Sequence, residues 1–267
     1  MGKIQKIVLE AKGLSAGNQK FFLISDHAPK HRKPKSQTEF AYFLAGLLEG
    51  AGCFTENRLE IKFQKSNLSN AFFVKKMIGF GQVQNNKYIL YHKIGLRKVI
   101  TLLNGKMSTD SLLSNHYLAG FTDATGYFYI RITTSKKIIL EYNLKFTSKN
   151  LTIIKKIQQV FGGSIWVAAQ HNKVKQSYLL ANCSIPKEDE LLLCAKNDTP
   201  ANRIYEYSSN EAYRIINYFD RFHCNSPSKL VGFFKWRKVY RILQRNEHLT
   251  LKGFDKVLRI KRMEYND

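Results

Sequence analysis

Two hydrophobic periods organise the chain. Over residues 58–65 apolar and polar positions alternate singly, with Leu59, Ile61 and Phe63 on one side and Arg58, Glu60, Lys62 and Gln64 on the other. A period of two predicts a half-buried strand with a polar, partly basic face. Residues 127–132 and 140–146 behave similarly, with Arg131 and Lys145 among their polar positions. Elsewhere the period lengthens to that of a helix. Phe72, Phe73, Met77 and Ile78 form one apolar face, beside Lys75 and Lys76. Ile153, Ile154, Ile157 and Val160 form another, beside Lys155 and Lys156. Phe233, Trp236, Tyr240 and Leu243 recur at helical spacing opposite a cationic face, which predicts an amphipathic helix. Thr250 is placed to cap a last short helix running through Arg259.

These elements occur in two copies. A nine-residue phrase, Leu44-Ala45-Gly46-Leu47-Leu48-Glu49-Gly50-Ala51-Gly52, returns as Leu118-Ala119-Gly120-Phe121-Thr122-Asp123-Ala124-Thr125-Gly126. The strand from Ile61 to Leu68 returns from Leu144 to Leu151, and further matches join Gly79–Val83 to Phe161–Ile165 and Tyr88–Asn104 to Tyr205–Asp220. Each copy reads helix, strands, helix, glycine turn, strands, helix: an α+β unit present twice. Within the phrases the small residues keep one register: Ala45, Gly46 and Gly50, then Ala119, Gly120 and Ala124. Small residues on one face let two helix backbones approach closely, so the phrases are expected to pack against each other.

The copies differ in length. Matching positions lie 74 residues apart at the phrase (Leu44 to Leu118), 83 at the strand (Ile61 to Leu144) and 116 at the last helix (Asn104 to Asp220). A longer hairpin near residues 133–139 and an insertion near 167–203 account for the difference. The expected organisation is a basic extension (1–38), a first repeat (39–110), a second repeat (111–227) and C-terminal basic helices (228–267).

Charge adds the partner. There are 43 Lys and Arg against 20 Asp and Glu, a net charge of +23. With 44% hydrophobic and 13% aromatic residues the chain can still bury a core. A cationic globular protein of this kind points to a polyanion, and nucleic acid is expected, bound more weakly as salt rises. Lys30, Arg32 and Lys33 lie in a proline-flanked stretch without helical period, which reads as an extended arm able to touch a phosphate backbone. No apolar run is long enough for a transmembrane helix, and residues 1–16 have no apolar core of secretory type. The four cysteines have no metal-ligand spacing, and free thiols are expected. His223, near Asp220 and Cys224, matches no catalytic triad and reads as a loop at a helix end.

The two phrases, the four matching segments and the tail around Lys235, Trp236, Arg237, Lys238 and Glu247-His248-Leu249-Thr250 resemble two-motif LAGLIDADG homing endonucleases and the related maturases of organelle introns. The resemblance implies two αββαββα repeats with a pseudo-two-fold axis and two antiparallel sheets forming a basic saddle over nucleic acid. It implies that Arg58, Glu60, Lys62, Gln64, Arg131 and Lys145 face the ligand, with Lys235 and Arg237 near a phosphate. One chain then supplies both halves, so no homodimer is needed. It implies an organelle, mitochondrion before chloroplast. The family uses Mg²⁺ held by an acid at position eight of each phrase. Here those positions are Ala51 and Thr125. Glu49 and Asp123, two residues earlier, are about 200° away around a helix and are expected to point elsewhere. No catalytic residue, metal ligand or cofactor is therefore expected. Three readings stay open: a non-cleaving binder of structured RNA, maturase-like or ribosome-associated; an inactivated DNA endonuclease; and a structural protein of a ribonucleoprotein such as an organellar ribosome.

Overall fold

The computed structural model describes residues 22–262 except 28, 31, 56, 105, 107–111 and 168–203. The remainder of the N-terminal extension and almost all of the 167–203 insertion lie outside the described residues.

Both repeats run helix, strand, strand, helix, strand, strand, helix. The first comprises α1 (Gln37–Ala51), β1 (Gly52–Thr55), β2 (Arg58–Lys62), α2 (Leu68–Ile78), β3 (Gln82–Gln84), β4 (Lys87–Leu90) and α3 (Lys93–Leu103). The second comprises α4 (Tyr117–Thr125), β5 (Gly126–Ile132), β6 (Ile138–Thr147), α5 (Leu151–Phe161), β7 (Ser164–Val167), β8 (Ile204–Ser209) and α6 (Ala212–Phe219). Two further helices follow, α7 (Pro227–Gln244) and α8 (Leu251–Arg262). Each repeat builds a four-stranded antiparallel sheet, ordered β1-β2-β4-β3 and β5-β6-β8-β7. The longer second hairpin expected near residue 133 is present: β5 and β6 extend well beyond β1 and β2.

Local chemistry sets the element ends. Ser36 caps α1 in a reciprocal pair with Glu39, each side chain accepting from the other's backbone N–H at 3.1 Å. Donation from the Lys35 and Ser36 N–H groups holds the Glu39 carboxyl below its usual range. Gly79 ends α2 in the left-handed region, φ +82, which a side chain would strain. The Thr250 hydroxyl accepts from Gly253 N–H at 3.0 Å and starts α8.

Strand alternation sends one face of each sheet into a core. Leu59, Ile61, Tyr88 and Leu90 pack with Phe40, Phe43 and Val74 in the first repeat. Phe128, Ile130, Tyr142, Leu144 and Tyr207 pack with Ile154 and Phe219 in the second. The second core also takes in α7, whose Phe233 and Trp236 rings lie 5.3 and 5.6 Å from Phe128. Trp236 is fully buried, worth about 2–3 kcal/mol of transfer free energy.

The described part of the arm is extended, as its composition predicts, and it is fastened to the body. Ile24 N–H donates to Gln244 Oε1 at 3.1 Å, and Asp26 pairs with Arg241 and Arg245. Arg32 N–H donates to His223 Nδ1 at 3.0 Å, and Arg32 carbonyl accepts from His223 N–H at 3.2 Å. The residues around His223 thus form a docking loop, consistent with the loop reading. Cys224 is buried there, and its thiol is pushed well up by burial and by Asp123.

Candidate nucleic-acid interface

The phrase helices α1 and α4 form the seam between the repeats. A Cβ on Gly46 would stand 1.9 Å from the Tyr117 carbonyl oxygen, and one on Gly120 would stand 1.9 Å from that of Phe43. Ala45 and Ala119 are fully buried. At the far end, a Cβ on Gly50 would meet Ala124 Cβ at 2.5 Å. Small residues are needed here because backbone faces backbone.

The positions of chemical interest lie where these helices end. Ala51 offers no donor atom. Thr125 donates its hydroxyl to its own helix, at 3.2 Å from the Phe121 carbonyl. Glu49 accepts from the Asn150 side chain at 3.0 Å. Asp123 Oδ2 accepts from the N–H groups of Asn225 and Ser226, at 2.8 and 3.0 Å, and from the Asn70 side chain at 3.2 Å. Burial outweighs these donors and the nearby Lys229, and the Asp123 carboxyl is pushed up to about 6. Asp123 also borders the same cavity as Ala51, with Lys62, Gln64 and Asn67. Its helical angle predicts an orientation away from its own position eight, but packing brings it beside the neighbouring helix's position eight. Its Oδ2 is nevertheless committed to the fold. Divalent Mg²⁺ requires several oxygen ligands in near-octahedral array. Mg²⁺ takes them from one or two carboxylates together with water and phosphate; with Ala51 and Thr125 at the helix ends and Asp123 Oδ2 held by three N–H donors, the residues there do not fit the family's metal.

Beyond the helix ends each sheet presents its second face outward. On the first, Arg58, Glu60 and Lys62 of β2 share a side with Lys87 of β4 and with Gln82 and Gln84 of β3. Glu60 pairs with Arg58 at 3.2 Å and with Lys87 at 3.4 Å, leaving net positive charge. Gln64 is exposed just beyond β2. On the second face, Arg131 donates to Glu141 at 2.8 Å and Lys145 pairs with Glu206 at 3.4 Å, so the four charges cancel. Tyr127, Tyr129 and Trp166 stand among them. The positive saddle implied for both sheets is therefore uneven: strand positions fix which side chains share a face, and cross-strand partners fix their net charge.

Several of the sequence-derived contacts lie elsewhere. Arg237 is a correction: it is 3% exposed and forks onto Asp220 at 2.9 and 3.1 Å, with a further bond to the Ser25 carbonyl. It sits four residues after Phe233, on the buried stripe of α7, and is a structural cation. Burial outweighs this pairing at Asp220 and holds its carboxyl above the usual range. Lys33 spends its ammonium on the Asn225 carbonyl at 3.0 Å, whereas the Lys30 and Arg32 side chains are exposed. Lys235 is half-buried on α7, on neither sheet face. Sequence reasoning missed Lys87, Glu141, Glu206 and the three rings, although Tyr127 and Tyr129 share the parity of Arg131.

Comparison with known proteins places this architecture. A family profile for LAGLIDADG endonuclease matches residues 118–194. An uncharacterized 37.2 kDa protein of cox1 intron 2 from Schizosaccharomyces pombe is 30% identical over 272 residues, covering 88% of this chain and 75% of that protein. A probable intron-encoded endonuclease 4 from Neurospora crassa is 22% identical over 78% of this chain and 41% of its own length. Among solved structures, I-AabMI bound to uncleaved DNA superposes with a TM-score of 0.60 at 16% identity, over 83% of this chain and 98% of the other. I-GzeII in complex with its DNA target gives 0.59 at 14% identity, over 83% and 96%. At these identities the solved structures speak to the fold alone.

Proposed function

We infer the function of this chain from one premise: it belongs to the LAGLIDADG family. We propose that it is a nucleic-acid-binding protein that does not cut, and that its ligand is structured RNA, in a maturase-like role. The observation that carries the reading is the chemistry at positions 51 and 125. One residue has no donor, the other turns its hydroxyl into its own helix, and the neighbouring acids are engaged in holding the repeats together. The seam and the outward sheet faces are kept while the metal acids are not. Such a protein acts through binding, and the transcript of an intron is a structured polyanion. The relative encoded in a cox1 intron supports this role and a mitochondrial setting. A net charge of +23 supports tight, salt-sensitive association.

The test is competition between structured RNA and duplex DNA at fixed salt. RNA bound more tightly than duplex sites supports the proposal; duplex sites bound far more tightly overturn it. A second reading, an inactivated DNA endonuclease, draws on the DNA complexes of the solved relatives. It expects the double variant Ala51→Asp, Thr125→Asp to recover metal-dependent cleavage on a library of sites. Co-purification with ribosomal particles at moderate salt would place the same surface in a ribosome instead.

A further inference from the structure

The second sheet presents a surface unlike the first. Tyr127 and Tyr129 of β5 and Trp166 of β7 point outward and, with Asn143 and Ser208, line an open cavity of about 330 Å³. The charges on the strands are paired with each other, Arg131 with Glu141 and Lys145 with Glu206, so the sheet itself adds no net positive charge to attract phosphate. Glu141 and Glu206 would repel a backbone laid across them. A neutral, ring-rich, hydrogen-bonding surface suits bases instead. Every base offers a π-face to stack on an aromatic ring, and its edge can donate exocyclic N–H groups to a carboxylate. A duplex hides its base faces within the stack, so only unpaired nucleotides can use such a surface.

We propose that the second sheet is a stacking platform for unpaired bases, with Tyr127, Tyr129 and Trp166 as its rings, while the first sheet holds the phosphate backbone through Arg58, Lys62 and Lys87. Two lysines sit at the border of the platform. Lys145 Nζ lies 5.9 Å from the Tyr127 ring centre, and Lys261 Nζ, from α8, lies 6.0 Å from that of Tyr129. Lys145 is held by Glu206, and Lys261 is placed to meet a phosphate of a nucleotide whose base lies on the rings. Burial and the Glu206 and Glu141 carboxylates hold the Tyr127 phenol above its ordinary range, so the ring stays neutral.

The chain has two tryptophans, and Trp236 is fully buried, so a ligand on the platform is read through Trp166. The full chain is titrated with a short single-stranded oligoadenylate RNA, its DNA counterpart and a blunt duplex. Single strands are expected to quench the half-buried Trp166, and the duplex to leave it unchanged. Tyr127→Ala with Tyr129→Ala is expected to weaken single-strand binding about tenfold or more per ring, with Tyr→Phe at both positions restoring it. Duplex binding should be unaltered by either pair. Arg58→Ala with Lys62→Ala should weaken all three ligands and flatten their salt dependence. Unchanged tryptophan emission at saturation overturns the platform. So does undiminished oligoadenylate affinity in a folded Tyr→Ala pair. The platform rests on the nucleic-acid-binding reading, yet the two fail separately. Tightest binding to duplex DNA with intact quenching by single strands removes the RNA role and keeps the platform. Structured RNA bound at full strength by the Tyr→Ala pair keeps the RNA role and removes the platform.

Discussion

In the first repeat Glu49, at position six of its phrase, meets one side chain, Asn150, across the seam. In the second repeat Asp123, at the same position, is enclosed by the 225–226 backbone and by Asn70. The difference comes from what lies beyond each repeat. The chain continues after α6 into a loop and a long helix whose apolar side chains join the second core, while Asn225, Ser226 and Ser228 reach back to Asn70 and Asn67 of the first repeat. An acid half-buried at one helix end is thereby converted, at the other, into a buried anchor that joins three segments distant in sequence. The sheets diverge likewise: the first keeps unpaired positive charge outward, and the second neutralises its own and adds rings. Two copies of one architecture have been assigned different work by their surroundings.

The strongest way to break this comparison is at the element both halves share. Gly46→Ala and Gly120→Ala each force a methyl onto a backbone carbonyl at 1.9 Å. Each should cost about 3 kcal/mol or more, by nearly equal amounts, in urea unfolding. A small loss in either would mean that the helices can slide apart. Next comes the anchor peculiar to the second half. Arg237→Met strands the Asp220 carboxylate and releases the Ser25 carbonyl, and should cost about 3 kcal/mol. An unfolding midpoint shift below about a third of that would show the pair is dispensable.

Asp123 supplies a subtler test. Its folded carboxyl sits at about 6 against an ordinary 3.8. The raised value means the protonated form is favoured by folding. Its contribution is complete below pH 3.8 and is lost as pH rises through about 6. Relative to Asp123→Asn, the parent should lose roughly 2–3 kcal/mol across that window. Parallel stability profiles for the two proteins would refute it. The smallest effect is a control: Gly232→Ala in α7 meets nothing within 4 Å and should stabilise by up to about 1 kcal/mol through helix propensity alone.

The two periods and the repeated phrase were enough to read two α+β units, the strand faces and the longer second hairpin, and the family resemblance supplied their αββαββα order. The registers of Gly46 and Gly120 likewise announced a close seam. What could not be read was which element would cover a given face. Arg237 and Lys235 are neighbours on one predicted helix, yet one is sealed against Asp220 and the other is half-buried. Spacing from Phe233 held the clue for Arg237, but its partner lies in the loop after α6.

By itself the sequence determined the family, the doubling of the unit and the absence of a carboxylate at residues 51 and 125, because side-chain identity and local period are properties of the chain. Only the tertiary structure decided that Asp123 and Arg237 serve the fold, and that charge survives on one sheet and cancels on the other. Those outcomes depend on burial and on partners brought together across the sheets and the seam, and no local pattern encodes them.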